Sequence, residues 1–188
     1  MKIVIIGGLP CSGKTKLANA FRARCKRPLL CKDEIKERLF DSVGVGGRDW
    51  SRRLSVATYE IMFAQAFELA NCGLVFAMEG NFREGAHRER FAGLAALGAT
   101  FVQAHCRADA NLLIERFRQR ALSGQRHAGH VDAASLPEIE LELRTQRQLP
   151  LNLPGVVIEC DTTRDWEATI ERAVREIEVE ISTSDSDA

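Results

Sequence analysis

The sequence lacks most of the features that would place it in a specialised class. No apolar run approaches the 18 residues of a membrane span. The N-terminal run Ile3–Ile6 stops at Gly7-Gly8, too short for the hydrophobic region of a signal peptide. Net charge is also missing, because 26 Lys+Arg balance 26 Asp+Glu. A neutral chain has no global field to gather a polyanion, so a nucleic-acid partner would need a local patch. Aromatic residues are scarce at 6%, which leaves few platforms for stacking unpaired bases. Six cysteines (Cys11, Cys25, Cys31, Cys72, Cys106, Cys160) form neither a C-x-x-C pair nor a Cys/His cluster, so zinc and a disulfide framework both lack the spacing they need. Reduced thiols and a cytoplasmic location are the expectation. What is present is 188 residues, 45% hydrophobic and 28% charged, the size and composition of one globular domain.

Short apolar runs alternate with helical patterns from end to end. Strands are expected at 2–7, 28–32, 74–79, 100–106 and 156–160, each a continuous apolar run of the kind buried on both faces. Helices are expected from Lys14 to Cys25, over 34–40 behind Asp33, from Ser51 to about Asn71, over 86–97, from Asp109 to Ser123, over 138–148 after Pro137, and from near Asp165. Five strands separated by helices predict an α/β three-layer sandwich around a five-stranded parallel sheet. Ligands in such sheets bind beyond the carboxyl ends of the strands, so the residues just after each strand are where chemistry is sought.

Immediately after the first strand stands Gly8-Leu9-Pro10-Cys11-Ser12-Gly13-Lys14-Thr15, a complete G-x-x-x-x-G-K-[ST]. Its glycines let the backbone curl so that successive N–H groups face a phosphate, and the following helix adds its positive end. Lys14 is suited to the β- and γ-phosphates and the Thr15 hydroxyl to Mg²⁺. Gly8, Cys11, Ser12, Gly13, Lys14, Thr15 and Lys16 are therefore the candidate nucleotide residues, with ATP and Mg²⁺ as the expected cofactors.

The other strand ends add polar groups. Asp33 follows the second strand, where a carboxylate would stand across the crest from the γ-phosphate and accept a proton from an attacking hydroxyl. Its alternative role is an N-cap for a helix starting at Glu34. Glu79 ends the third strand and is a candidate for holding Mg²⁺ or orienting substrate, followed by Asn81 and Arg83. After the fourth strand come Arg116, Arg118, Arg120 and the run Arg126-His127-Ala128-Gly129-His130. Arg116 and Arg120 share a helix face, and a mobile arginine-bearing lid would supply charge to a transferring phosphoryl group while excluding water. His127 and His130 lack further ligand candidates for a metal. Thr162, in the loop after the fifth strand, is a candidate for reading the adenine through its backbone.

The runs GLPCSGKT, LLCKDEIKERLF, VFAMEGNFR and RFRQRALSGQRHAGH together resemble the small P-loop kinases grouped with zeta toxins, chloramphenicol phosphotransferase and the 5′-kinase domain of polynucleotide kinase. The resemblance spans residue 2 to about residue 163. It implies a P-loop NTPase fold of the nucleoside kinase-like kind with an arginine-bearing lid over about 109–148. It also implies Lys14 and Thr15 as phosphate and Mg²⁺ residues, Asp33 as base, and Arg116, Arg120 and Arg126 as lid positions. Lys36 stands where relatives often have an arginine near the acceptor, and the third strand ends in Glu79 where many P-loop proteins have Asp.

The resulting expectation is one kinase domain over 1–181 with an acidic, disordered tail at 182–188. Its activity would be transfer of the ATP γ-phosphoryl group to a hydroxyl of a small molecule such as a sugar, polyol, antibiotic or nucleotide sugar. The acceptor pocket is expected from the Gly44–Trp50 loop, the helix around Tyr59 and Phe63, and Asn81-Phe82, with Asp33, Lys36, Glu79, Asn81 and Arg83 at the substrate. Two alternatives stay open. One is a nucleic-acid 5′-end kinase using the basic cluster Arg22, Arg24, Lys26, Arg27, Lys32, Lys36 and Arg38. The other is an ATPase switch without an acceptor, since Leu122-Ser123-Gly124-Gln125 resembles part of the transporter ATPase signature.

Overall fold

The structure, a computed structural model, describes residues 1–146 and 149–182. Its centre is β1 (Lys2–Gly8), whose Ile3, Val4, Ile5 and Ile6 are at most 2% exposed. Such a strand needs apolar cover on both faces and hydrogen-bonding neighbours on both edges. The neighbours are β3 (Phe76–Glu79) and β4 (Thr100–Arg107), with β2 (Leu29–Cys31) beyond β3 and β5 (Gly155–Asp161) beyond β4. All four pairings are parallel, in the order β2-β3-β1-β4-β5.

Strand alternation sorts the core into two layers. Val4, Ile6, Ala77, Val102, Ala104 and Ile158 face α1 (Lys14–Cys25) and α7 (Trp166–Ser182), meeting Leu17, Phe21, Ile170 and Ile177. Ile3, Ile5, Phe76, Met78 and Phe101 face α3 (Arg48–Asn71) and α4 (Glu84–Ala96), meeting Met62, Phe63, Phe91 and Leu94. A third, smaller cluster (Leu113, Ile114, Phe117, Leu143) joins α5 (Ala110–Ser123) to α6 (Asp132–Thr145) and rests on Leu9 and Cys11 of the phosphate loop. The α5–α6 hairpin is thus seated on the loop it was expected to cover. All six cysteines are free, and no described helix is long and apolar enough to cross a membrane.

Two expected helix starts move, each for a physical reason. The helix expected behind Asp33 is α2 (Lys32–Val43), which starts two residues earlier and is preceded by Cys31, so Asp33 lies in its first turn and caps nothing. The helix expected after Pro137 begins at Asp132 and carries Pro137 within it. Proline is disfavoured inside a helix because it lacks an N–H and crowds the preceding turn; packing of Leu136, Ile139 and Leu143 against α5 outweighs that local preference here. In α3, Phe63 is 1% exposed and packs inward, while Ile61 is 37% exposed. The expected tail at 182–188 lies outside the described residues from 183 onward, and Ser182 ends α7.

Candidate active site

The phosphate loop has the geometry its sequence demands. Gly8 adopts φ 139° and a Cβ there would lie 2.0 Å from the Cys106 carbonyl oxygen on β4. Gly13 adopts φ 98° at the start of α1. No side chain caps α1 and no acidic residue occupies its first turn. By contrast, Asp109 caps α5 by accepting from the Asn111 and Leu112 amides. The amides at the start of α1 are therefore left for an anion. Lys14 Nζ donates to the Leu9 carbonyl at 2.7 Å. Burial lowers its pKa, with Glu79 acting in the opposite sense. The Ser12 hydroxyl is buried without a partner among the described residues. Thr15 and Lys16 are exposed at the mouth of the loop, and the Lys16 ammonium sits 3.2 Å from the centre of the Trp166 indole.

Beside the loop, β3 and β2 deliver two carboxylates. Glu79 is 4% exposed and accepts from the Cys31 thiol at 3.0 Å. Burial raises its pKa, while Lys14 and the thiol bond lower it. For Asp33, burial favours the neutral acid, but Lys32 and Arg126 outweigh burial and hold the carboxyl well below the usual range. Lys32 Nζ lies 2.9 Å from Asp33 Oδ1, and Arg126 donates to Oδ2.

The lid arginines divide into two kinds. Arg116 is a clamp: it donates to the Thr162 hydroxyl at 3.0 Å, the Thr162 carbonyl at 2.8 Å and the Cys11 carbonyl at 3.4 Å. Arg120 and Arg126 share Asp132, at 2.9 and 2.8 Å, and Arg126 reaches on to Asp33. The Thr162 groups expected to read adenine are already engaged. Its amide donates to the Arg107 carbonyl at 2.8 Å, its hydroxyl to the Ser12 carbonyl at 3.1 Å, and its carbonyl accepts from Arg116. That expectation is corrected accordingly: Thr162 ties the loop after β5 to the phosphate loop.

Sequence reasoning missed how the lid meets α2. Asp33, Glu37 and Asp41 follow one another at four-residue steps, hence on one helix face. They meet Arg126, His130 and His127 respectively, the histidine contacts measuring 2.9 and 3.2 Å. Phe40 stacks on His127 with ring centres 5.3 Å apart and lies edge-on to His130 at 5.6 Å. Gly129 passes directly over Phe40, where a Cβ would lie 2.4 Å from the ring. Glu138 of α6 accepts from Arg48 at 3.0 Å and from Arg52 at 2.8 Å, and Glu142 accepts from Arg83 at 2.5 Å. The four-residue spacing of the α2 carboxylates and the Arg-His-x-Gly-His run were both visible in the sequence; their pairing was not.

A cavity of about 720 Å³ lies between the phosphate loop, α2, α3 and the α5–α6 hairpin. Lys14, Thr15, Lys16, Arg116, Arg120, Thr162 and Trp166 line its phosphate-loop end. Lys36, Arg48, Tyr59, Phe63, Asn81, Arg83 and His87 line the opposite end, with Asp33, Glu79 and Arg126 also on the wall. Of the Gly44–Trp50 loop only Arg48 and no glycine borders this space. Trp50 instead folds back, its indole N–H donating to the Gly44 carbonyl at 2.9 Å. Phe82 is likewise absent from the wall. The Asn81 carbonyl accepts from the Tyr59 hydroxyl at 3.0 Å. The basic cluster considered for nucleic acid is dispersed: Arg22 pairs with Glu34, Arg24 with Glu178, and Lys32 and Lys36 turn into the cavity.

The chain matches the family model described as AAA domain over residues 3–143. A candidate kinase from Chloroflexus aurantiacus superposes with a TM-score of 0.86 at 32% identity, over 94% of this chain and 96% of that one. A sugar kinase from Janibacter sp. HTCC2649 gives 0.55 at 17% identity, covering 94% of both chains. The tunicamycin resistance protein of Deinococcus radiodurans gives 0.51 at 18%, again over 94% of both. At these last two identities the likeness is one of fold. No curated protein matches the sequence. The chain belongs to the AAA domain family matched over residues 3–143, and its five-stranded parallel sheet with covering helices is the α/β fold of P-loop kinases.

Proposed function

We propose that this protein is an ATP-dependent kinase that transfers the γ-phosphoryl group to a hydroxyl of a small molecule. The observation that carries the reading is one cavity with two unlike ends. A phosphate loop with free helix amides and Lys14 forms one end, and side chains of α2, α3 and α4 form the other, with Asp33 on the wall. A switch ATPase needs the first end and has no use for the second. The similarity to a candidate kinase at 32% identity supports the same reading. The finer grouping with zeta toxins and chloramphenicol phosphotransferase rests on Asp33-x-x-Lys36 and on the Arg126–His130 run. Residues 1–181 form the catalytic domain in this reading, with 109–148 as its lid.

In this reading the α1 amides and Lys14 hold the phosphates and Trp166 bounds the adenine. The Thr15 hydroxyl and the Glu79 carboxylate are the groups that would hold Mg²⁺. One or two protein oxygens completed by phosphates and water is how that ion is usually bound. When bound, the ion neutralises charge on the transferring phosphoryl group. Asp33 orients the acceptor hydroxyl and takes its proton late, since phosphoryl transfer asks little of a base before the bond to the leaving oxygen has loosened. Arg126 exchanges the Asp33 carboxylate for the phosphates as substrates enter, and the α5–α6 lid keeps water out, without which ATP would be hydrolysed.

The test is a screen of hydroxyl acceptors with labelled ATP, run with wild type and Asp33→Asn. Acceptor-dependent phosphorylation that is lost in the variant supports the proposal. ATP hydrolysis indifferent to every acceptor and to Asp33 would sink it.

A further inference from the structure

Asp33, where the acceptor hydroxyl is placed, belongs to α2. Much of the wall away from the phosphate loop comes instead from α3, α4 and α6, and its character is different. Val56, Tyr59 and Phe63 of α3, Ala86 of α4 and Ile139 of α6 all border the space. Phe63 is 1% exposed and belongs to the core, but Val56 is 66% exposed, Ala86 is exposed, and Tyr59 and Ile139 are half-buried. The Tyr59 hydroxyl already donates to the Asn81 carbonyl at 3.0 Å, so what Tyr59 offers the cavity is its ring. Apolar side chains left uncovered on three helices around one space are the usual lining of a ligand pocket.

The carboxylates of these three helices that border the cavity are taken up by arginines. Glu60 of α3 meets Arg90 of α4, Glu142 of α6 meets Arg83 at the start of α4, and Glu138 of α6 meets Arg48 and Arg52 of α3. Every two of the three helices are thus bridged. Pairs this exposed add little stability, but they leave none of the three carboxylates free for a cationic acceptor.

His87 of α4 supplies the one neutral polar group among the apolar ones. It is 8% exposed, borders the cavity, and its ring centre lies 4.4 Å from that of Tyr59 and 5.9 Å from that of Phe63. Its Nδ1 lies 2.9 Å from the Arg83 amide and 3.2 Å from the Arg83 carbonyl. That carbonyl already accepts from the Ala86 and His87 amides at 3.1 and 3.0 Å. The Arg83 amide therefore decides the tautomer: Nδ1 keeps the lone pair and the proton sits on Nε2. Burial lowers the His87 pKa below its ordinary 6.5, so the ring is neutral at pH 7. Among the described residues no group bonds Nε2, and the atoms sealed from water without a partner are the Ser12 hydroxyl and His105 Nε2, so the Nε2–H of His87 stays open as a donor.

Resting on the kinase reading, we propose that the cleft between α3, α4 and α6 seats an aromatic ring of the acceptor, with His87 Nε2–H donating to an oxygen beside that ring. The acceptor is then an amphiphile: its hydroxyl meets Asp33, and its ring lies against Val56, Tyr59 and Ile139. A polyol hydrated all round would leave those side chains wet and gain nothing from them. The rings of Tyr59 and His87 favour an aromatic guest, which meets them edge to face.

Three acceptors sharing one reacting diol test this: 3-methoxy-1,2-propanediol, 3-benzyloxy-1,2-propanediol and 5-phenyl-1,2-pentanediol, the last with a methylene in place of the ether oxygen. The benzyl ether should exceed the methyl ether in kcat/KM by about tenfold to a hundredfold, the size expected for burying one ring. Val56→Asp alters a mostly exposed residue and sets a charge on the apolar wall; it should cut that ratio about tenfold. His87→Phe keeps a ring but removes the donor, and should lower the preference for the benzyl ether over its methylene analogue several-fold. Because each ratio is internal to one variant, partial misfolding does not mimic the effect. Independently, the Val56 methyl resonances, with a non-hydrolysable ATP analogue filling the other end, are followed during titration with the benzyl ether. A ring-current shift that saturates supports the cleft even if no diol is phosphorylated, in which case it is the kinase reading that suffers. Equal use of the methyl and benzyl ethers, a ratio unmoved by Val56→Asp, or Val56 methyls indifferent to the benzyl ether overturns the ring site and leaves the kinase reading intact. A preference for the ether oxygen unmoved by His87→Phe overturns the donor role of His87.

Discussion

Arg126, from the loop after α5, donates directly to the carboxylate of Asp33 in the first turn of α2, 93 residues away in sequence. Its other terminal nitrogen bonds Asp132 at 2.8 Å, and Lys32 holds the second oxygen of Asp33 at 2.9 Å. The candidate proton acceptor is therefore neutralised by the lid that covers it. Burial alone would keep Asp33 protonated, but the two cations reverse that and leave a weak base. Such a carboxylate orients a hydroxyl well and removes its proton poorly until Arg126 leaves. Arg126→Gln should raise the Asp33 pKa toward its ordinary 3.8, measured by NMR titration of the carboxyl carbon. An unmoved value would mean Lys32 suffices.

Asp33→Asn should cut phosphoryl transfer by about a hundredfold or more while leaving ATP affinity within a few-fold. Asp33 caps no helix, so α2 should persist in the variant, while loss of the charge that meets Lys32 and Arg126 should lower Tm. Parallel measurements of turnover, nucleotide binding and Tm check all three.

Lys14→Ala should lower transfer at least about a hundredfold, the usual loss when one preorganised donor to a developing anion is removed. Since burial of Lys14 as a cation is unfavourable without phosphate, its removal should not destabilise the free protein. A chemical denaturation curve of the variant beside turnover assays tests both halves.

Gly129→Ala places a methyl group 2.4 Å from the Phe40 ring. Phe40 is 2% exposed and packed under the lid, so it cannot turn aside. Overpacking of this kind costs about 1–3 kcal/mol, and here it falls on the contact between lid and α2. Faster protease cleavage within 124–131, with little change in the global transition, is the expected signature.

His130 is 5% exposed beside Glu37 and Arg126, and burial with the Arg126 charge lowers its pKa to about 3 from an ordinary 6.5. Between those values the unfolded chain binds a proton that the folded chain refuses, so stability falls as pH drops from 6.5 toward 3. His130→Asn keeps a donor for Glu37 and removes the titration. The stability of wild type relative to this variant should decline by a few kcal/mol across that window, read from urea denaturation at stepped pH. A flat difference would show that His130 titrates normally.

Much of this architecture is local in origin and was legible in the residues. The helix Lys14–Cys25 follows from a glycine stop, a lysine-threonine start and apolar spacing, and it falls where the pattern put it. The five strands are short apolar runs too long-range in their pairing to order from sequence, yet each lies within two residues of its expected ends. The phosphate loop is equally local, because positive φ at Gly8 and Gly13 requires glycine whatever surrounds it. Helix α6 was placed six residues late because Pro137 is a strong local signal, overridden by packing that no window of sequence contains.

What the sequence determined by itself was the class of chemistry: an α/β sheet, an anion-binding loop, and carboxylates and arginines following the strands. Partnership was decided by the tertiary structure. Asp33 could have capped a helix, Thr162 could have read a base, and Lys36 could have been one more surface charge. Their roles depend on which groups lie within about 3 Å after residues some hundred positions apart are brought together, and on how much water remains between them. Distance and dielectric in this site are properties of the packed chain. The balance of 26 cations against 26 anions says nothing about which cation meets which carboxylate; Arg126 and Asp33, 93 residues apart, are paired by the packed chain alone.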